Sequence, residues 1–198
     1  MLTPADVEYI RAGFIPLDEL CRDRGYEPAQ VHSHIDAGRL PRPSYVLDDG
    51  TEMVPHDYFD LAEEAGGTER LREEFMRRYS IAASREQVAL EPPEAEWEAY
   101  LSGEYGVCLR AVTPETIVRK SALVAELDTL LSEPRPEDTG WAARLQSRVG
   151  ELDELEREFA PSYDRIRFGG PSSRDRLITA ARERYPDLFR PASDESAA

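Results

Sequence analysis

Apolar residues in the first 60 positions recur at two different spacings. From residue 16 to residue 37 they lie three or four positions apart and are interrupted by Gly25, which predicts two short helices joined by a turn. Apolar and polar residues then alternate on both sides of Asp48-Asp49-Gly50, a sequence typical of β-hairpin turns. The predicted elements of this part are helices over residues 4–11, 16–24 and 28–37 and strands over residues 44–47 and 51–54.

Most of the remaining chain has helical spacing. The clearest pattern begins at Thr113-Pro114 and resumes after a polar loop from Trp141 to Phe159, so we expect these two helices to pack as an antiparallel hairpin. Pro92-Pro93 fits neither a helix interior nor a strand and marks the best candidate boundary. The predicted helices of this part cover residues 55–64, 68–83, 93–101, 114–132, 141–159 and 173–185.

These patterns predict a mainly α fold. It would begin with a module similar to a winged helix-turn-helix, with one small β-hairpin, and continue as a helical domain that contains the antiparallel helix hairpin. The predicted divisions are residues 1–60 for the module, 61–92 for connecting helices and a linker, 93–190 for the helical domain and 191–198 for a disordered tail.

Residues 15–50 resemble the N-terminal winged helix of the MerR and excisionase families. In those domains a first helix, a glycine turn, a recognition helix with an exit like Gly-Arg-Leu-Pro and a hairpin wing follow in the same order. The matching positions here are Leu17, Leu20, Gly25, Val31, Ile35, Gly38, Leu40 and Pro41. The whole chain also resembles an uncharacterised family of bacterial proteins labelled as natural-product biosynthesis proteins, which implies a setting in a biosynthetic gene cluster.

The charge of the module argues against the DNA binding that its shape implies. The chain has 24 basic and 40 acidic residues, a net charge of −16. Residues 1–60 are acidic as well, and the predicted recognition helix over residues 28–37 has no Lys or Arg. Contacts to DNA phosphates need such cations, so we interpret the module as a scaffold or a protein-docking surface.

The remaining composition indicates an ordinary globular protein. No run of about 18 apolar residues occurs and the N-terminus has no secretory pattern, so we expect a cytoplasmic protein with no membrane span. Cys21 and Cys108 form no CxxC motif and are interpreted as buried thiols. His32, His34 and His56 lack metal-ligand spacing, and neither a metal nor another cofactor is expected.

Anion recognition is the chemistry that the sequence indicates most clearly. Residues 163–176 combine four arginines with a glycine pair, two serines and a predicted helix start, as sites for phosphate or carboxylate do. The candidate anion-binding residues, including a second basic group beside Thr113, are Arg110, Arg119, Arg167, Gly169, Gly170, Ser172, Ser173 and Arg174. In the alternative interpretation the serines cap a helix, the glycines form a turn and the arginines pair with the abundant glutamates.

Catalytic chemistry has fewer candidates, which are Cys108, Tyr105 and His56. Arg110 and the N-terminus of the following helix would favour a thiolate at Cys108. The acidic stretch 151–158 is interpreted as solvated helix surface or as a docking face for a basic partner.

Three functional hypotheses follow from these observations. The leading one is an accessory protein of secondary metabolism that binds a protein partner or a small anionic ligand. The first alternative is a small-molecule enzyme of the same pathway with a pocket between the two halves of the chain. The second is a DNA-binding transcriptional regulator, although the charge makes nucleic acid a poor partner.

Overall fold

The computed structural model describes residues 2–190 and shows a mainly α fold with one small antiparallel sheet. The α-helices are α1 (Pro4–Gly13), α2 (Leu17–Arg24), α3 (Pro28–Asp36), α4 (Asp60–Glu64), α5 (Thr68–Ala83), α6 (Pro93–Leu101), α7 (Glu104–Cys108), α8 (Pro114–Ser132), α9 (Thr139–Leu155), α10 (Tyr163–Arg167) and α11 (Ala180–Arg184). The other elements are the strands β1 (Ile15–Pro16), β2 (Tyr45–Val46) and β3 (Glu52–Val54), a π-helical segment (Arg174–Thr179) and a 3-10 helix (Pro186–Phe189). The predicted fold class is confirmed, while the predicted tail, residues 191–198, lies outside the described residues.

Two threonine–proline pairs begin helices as their sequences predict. The hydroxyl of Thr3 accepts a hydrogen bond from the Asp6 N–H, and the Asp6 carboxylate accepts one from the Thr3 N–H. Thr113 and Thr116 form the same reciprocal pair at the start of α8. In both helices the proline follows the cap, where a missing N–H costs nothing. Local chemistry therefore fixes these two boundaries.

The sheet has one strand that the pattern does not predict. The hairpin strands β2 and β3 pair as expected, and β1 pairs with β3 on the other side, with Ile15 opposite Val54 and Pro16 opposite Met53. A strand of two residues is too short to show alternation, and its proline is tolerated because the strand lies at a sheet edge. Strand β1 is therefore defined by its partner and not by its own sequence.

Helix α9 ends four residues earlier than the apolar spacing predicts. Its last residue is Leu155, and Glu156 continues as extended backbone that forms an antiparallel bridge with Leu109. The Arg110 N–H donates to the Leu155 carbonyl and the Arg157 N–H donates to the Cys108 carbonyl, both at 2.9 Å. These long-range bonds satisfy backbone groups that a continued helix would otherwise pair, so the tertiary partner overrides the local pattern.

Three further elements differ from their predictions. Helix α4 begins at Asp60 and not at residue 55, because residues 56–59 form turns. The final helix begins with the π-helical segment, in which the backbone is wound more widely than in an α-helix. Helix α7 has no predicted counterpart, since its five residues span little more than one turn.

Helices α8 and α9 form the predicted antiparallel hairpin. Arg119 of α8 pairs with Glu151 near one end, and near the other end the indole N–H of Trp141 donates to the Leu130 carbonyl. None of the helices within residues 2–190 is long and apolar enough to cross a membrane.

The hydrophobic core consists of three clusters, two of which contain residues from both sides of a predicted domain boundary. The largest extends along the sequence from Leu17 to Val118. The second lies between α8, α9, the π-helical segment and α11. The third joins α1 and the hairpin to Val107 and Ala160. The first 60 residues are therefore packed into the same core as the helices that follow.

Asp6 connects the first helix to the C-terminal part of the chain. Its Oδ1 accepts hydrogen bonds from the N–H groups of Ser162 and Tyr163 at 2.8 and 3.1 Å, and its side chain is fully buried. Burial alone would raise the pKa of Asp6, but the hydrogen bonds from Thr3, Ser162 and Tyr163 outweigh it and lower the pKa from 3.8 to about 2.

This arrangement predicts a loss of stability in acid. Because the folded pKa lies below the ordinary value, the ionised carboxylate stabilises the fold above about pH 4, and this contribution disappears as the pH falls towards 2. We expect Asp6→Asn to lower the free energy of unfolding at pH 7 by about 1–2 kcal/mol, and by less at pH 3. Urea titrations of both proteins between pH 7 and 3 measure the difference. Glu8→Gln, which changes an exposed acid of α1, is the control, and a deficit of Asp6→Asn that does not vary with pH would contradict the assignment.

Candidate ligand-binding site

A cleft of about 140 Å³ lies between α10 and the turn that leads into the π-helical segment. It is lined by charged, hydroxyl and aromatic side chains, among them Asp164, Arg165, Phe168, Ser172, Arg174 and Asp175. A volume of this size holds several water molecules or one small organic molecule.

The wall of the cleft beside the π-helical segment is fixed by a local cap. Ser172 donates from its N–H and its hydroxyl to Asp175 Oδ2, at 3.0 and 2.9 Å, and the Asp175 N–H donates back to the Ser172 hydroxyl. The polar groups at this helix start are therefore engaged with each other. π-Helical turns often occur at functional sites, and this one begins with Arg174 at the cleft.

Buried polar atoms without partners concentrate at this cleft. Within residues 2–190 four buried side-chain atoms have no hydrogen-bond partner: Asp57 Oδ1, Glu156 Oε2, Asp164 Oδ1 and Arg174 Nη1. Asp164 and Arg174 line the cleft, and Glu156 is bonded to Ser173, the neighbour of Arg174. Buried polar groups are almost always paired in folded proteins, so the unpaired atoms of Asp164 and Arg174 make the cleft a candidate site for a bound molecule.

The two arginines of the cleft differ in their surroundings. Arg174 forms an ion pair with Asp153 through Nη2, and Arg182 pairs with the other oxygen of that acid. Burial raises the pKa of Asp153, but the hydrogen bonds from Arg182 and Arg174 outweigh it and leave the pKa below its usual range. Arg165 is exposed and forms no ion pair within the described part of the chain.

A buried ionic network lies behind the cleft. Glu156 is fully buried, and its Oε1 accepts from the Ser173 hydroxyl at 2.5 Å and lies 3.3 Å from the Lys120 ammonium. The ammonium also lies beside the Cys108 thiol. Burial raises the pKa of Cys108, and the opposing effect of Lys120 does not cancel it, so the thiol is held in its neutral form.

Comparison with protein families identifies the family of this chain. A family model described as a family of unknown function, DUF6058, matches residues 69–186, which include the cleft and the buried network. The chain belongs to the DUF6058 family. Comparisons with curated proteins and with solved structures found no match.

In this DUF6058 member, three of the predicted anion-binding residues line the cleft, namely Gly170, Ser172 and Arg174. Ser173 lies behind it, on Glu156. Gly169 adjoins the cleft and adopts a left-handed backbone at the end of α10.

The other three predicted residues are engaged elsewhere or solvated. Arg167 donates to the Ser44 carbonyl at 2.6 Å and stacks on Phe168. Arg119 forms a bidentate pair with Glu151, and Arg110 is exposed.

The three catalytic candidates of this DUF6058 member are not brought to one cavity. Cys108 and Tyr105 are neighbours, and the Tyr105 hydroxyl donates to the buried acid Glu96, whereas His56 is exposed. The cavity between the two halves holds about 20 Å³, room for one water molecule, and none of the three candidates lines it. No group of three His, Cys, Asp or Glu side chains placed to hold a metal ion occurs in the described residues.

Three residues of the site do not stand out in the sequence. Glu156 lies in the acidic stretch interpreted as solvated, and this interpretation is wrong for Glu156, because the bridge to Leu109 draws it into the core. Asp164 and Arg165 lie inside the basic segment, but their positions at the cleft depend on contacts with distant parts of the chain. The Tyr45 hydroxyl, 119 positions away in sequence, donates to Asp164.

Proposed function

We propose that this member of the DUF6058 family is a cytoplasmic accessory protein of secondary-metabolite biosynthesis that binds a small anionic ligand in the cleft. The metabolic setting is supported by the resemblance of the whole chain to bacterial proteins labelled as natural-product biosynthesis proteins. The binding function is supported by the chemistry of the cleft.

One observation carries the binding function: the cleft is lined by two arginines with guanidinium N–H groups that no acid of the described chain satisfies. Nη1 of Arg174 is buried without a partner, and Arg165 forms no ion pair. A buried N–H without an acceptor costs about 1–3 kcal/mol, so an oxyanion that accepts its hydrogen bond is bound favourably.

The N-terminal module favours an accessory protein over a DNA-binding regulator. Its order α1-β1-α2-α3-β2-β3 and its sheet order β1-β3-β2 fit the winged helix-turn-helix that residues 15–50 resemble. Three of its five basic side chains are neutralised by ion pairs, which are Arg11–Asp49, Arg24–Asp60 and Arg39–Glu69. We infer that the module is a scaffold or protein-docking unit and does not bind DNA.

Titration of the full chain with isovalerate and with inorganic phosphate tests the binding function. We expect isovalerate, phosphate or both to shift the backbone amide resonances of Gly170 and Ser172 in NMR spectra. Arg165→Ala should weaken that binding about three- to tenfold, because it removes one charged donor without disturbing an ion pair.

Arg176→Ala is the matched control, since this exposed arginine pairs with Asp128 and does not line the cleft. Unchanged binding is expected for it. Absence of binding by both anions, or equal weakening by both substitutions, would refute the cleft as an anion site. Retention of the protein on DNA at about 50 mM salt, where electrostatic binding is strong, would instead favour the regulator hypothesis.

A further inference from the structure

The cleft has a buried acid beside its arginines, and we call the acid its negative pole and the arginines its positive pole. Asp164 lines the cleft, is 1% exposed and has an Oδ1 atom without a hydrogen-bond partner in the described residues. Its Oδ2 accepts from the Tyr45 hydroxyl and from the Ala160 N–H, both at 2.7 Å. These two donors hold the carboxylate in one orientation and leave one oxygen able to accept.

The other acids near the cleft are engaged. Asp175 serves the cap through its Oδ2, which accepts two hydrogen bonds from Ser172. Asp153 is held by Arg174 and Arg182. Asp175 is half-buried and Asp153 does not line the cleft, so Asp164 is the fully buried acid of the cleft, and its Oδ1 has no partner.

From these opposite poles we infer that the ligand is a zwitterion, an α-amino acid with a small apolar side chain. Its carboxylate would bind Arg165 and Arg174, and its ammonium group would bind Asp164. The inference rests on the proposed anion-binding function and adds a second recognition group to it. A ligand with both charges pairs groups of both signs in the cleft, whereas a simple anion satisfies only the arginines.

The size and apolar surface of the cleft agree with such a ligand. The volume of about 140 Å³ is close to that of cavities, roughly 150 Å³, that hold a six-carbon ring. Phe159 and Phe168 line the cleft with their rings edge to face, 6.4 Å apart between centroids. They offer an apolar surface for a short aliphatic side chain.

Calorimetric titration of the full chain with three matched compounds tests the inference. L-Valine has both charges, isovalerate lacks the ammonium group and isobutylamine lacks the carboxylate. We expect L-valine to bind at least about tenfold more tightly than either of the others, because each of them leaves one pole of the cleft unpaired.

The variant Asp164→Asn tests recognition of the ammonium group separately from recognition of the carboxylate. The amide keeps an oxygen for Tyr45 and Ala160 and replaces the free oxygen with an N–H donor, which repels an ammonium group. We expect the preference for L-valine over isovalerate to disappear in this variant, because the ammonium group loses its acceptor while the carboxylate keeps both arginines.

The possible results distinguish the zwitterion inference from the proposed anion-binding function. Equal binding of L-valine and isovalerate to the unmodified chain would overturn the zwitterion inference and leave the anion site standing. Absence of binding by all three compounds and by phosphate would overturn both. A preference for L-valine that persists in Asp164→Asn would place the ammonium group elsewhere and overturn the inference. If the variant does not fold, the Ala160 amide resonance of the unmodified chain decides. It should shift further with L-valine than with isovalerate, because the ammonium group binds Asp164, the acceptor of the Ala160 N–H.

Discussion

Replacing Gly103 with alanine is expected to lower the free energy of unfolding by about 3–5 kcal/mol, through backbone strain and overpacking together. Gly103 has a φ of +80°. Glycine adopts this left-handed conformation readily, whereas a residue with a Cβ atom adopts it only at an energetic cost. A Cβ atom at this position would collide with the Arg42 carbonyl oxygen and lie 3.1 Å from the Pro43 carbonyl oxygen. These are backbone atoms, which cannot rotate away as a side chain can.

The collision would occur where the N-terminal part docks on the helical part. The Arg42 N–H donates to the Leu101 carbonyl at 2.9 Å, and the Ser44 hydroxyl donates to the Gly103 carbonyl at 3.2 Å. Displacement of residues 42–44 would weaken both bonds, so the effect should extend beyond the local strain.

Urea unfolding followed by circular dichroism measures the effect of Gly103→Ala. Gly150→Ala is the control, because Gly150 lies in α9 and a Cβ atom added there would meet no neighbouring atom within 4 Å. This control should raise the free energy of unfolding by about 0.5–1 kcal/mol, the helix preference of alanine over glycine. A loss of less than about 1 kcal/mol for Gly103→Ala would show that residues 42–44 move aside at little cost.

Replacing Lys120 with methionine should also destabilise the protein by about 3–5 kcal/mol, because it leaves a buried carboxylate without its counter-charge. Glu156 is fully buried, and its remaining partner would be the Ser173 hydroxyl. The methionine side chain has a length similar to lysine, so the change removes charge more than packing volume.

A double variant tests this explanation of the Lys120→Met effect. Adding Glu156→Gln removes the unpaired charge, and the double variant should be more stable than Lys120→Met alone. Arg144→Met is the matched control for loss of a cation between α8 and α9, since Arg144 is 60% exposed and its partner Glu126 retains Arg148. The control should cost less than about 1 kcal/mol. Equal losses for Lys120→Met and Arg144→Met would show that burial of Glu156 has little energetic importance.

Much of the fold was predictable because its signals are local. Helix α8 begins where Thr113-Pro114 places a cap and a proline, and α2 ends at Gly25 in the left-handed conformation that glycine favours. The hairpin turn at Asp48-Asp49-Gly50 joins β2 and β3 as its residue types indicate. Each of these features depends on the backbone geometry of a few consecutive residues.

The candidate site was predictable only in part. Gly170, Ser172 and Arg174 share a short segment whose composition indicates anion binding, and they line the cleft. Asp164 has no local signal of its role, because its burial depends on Tyr45 in the hairpin. Composition therefore indicates the positive pole of the cleft and not the negative one.

The sequence by itself determined the helices with strong caps, the turns at glycine and the mainly α class, because capping, backbone preference and apolar spacing act between near neighbours in the chain. Only the tertiary structure decided that α9 ends at Leu155, that Glu156 is buried against Lys120 and that Gly103 touches the backbone of Arg42. In the sequence Glu156 resembles the solvated glutamates around it. The physical reason is that burial and ion pairing depend on which distant segments meet, and no property of an isolated residue specifies that meeting.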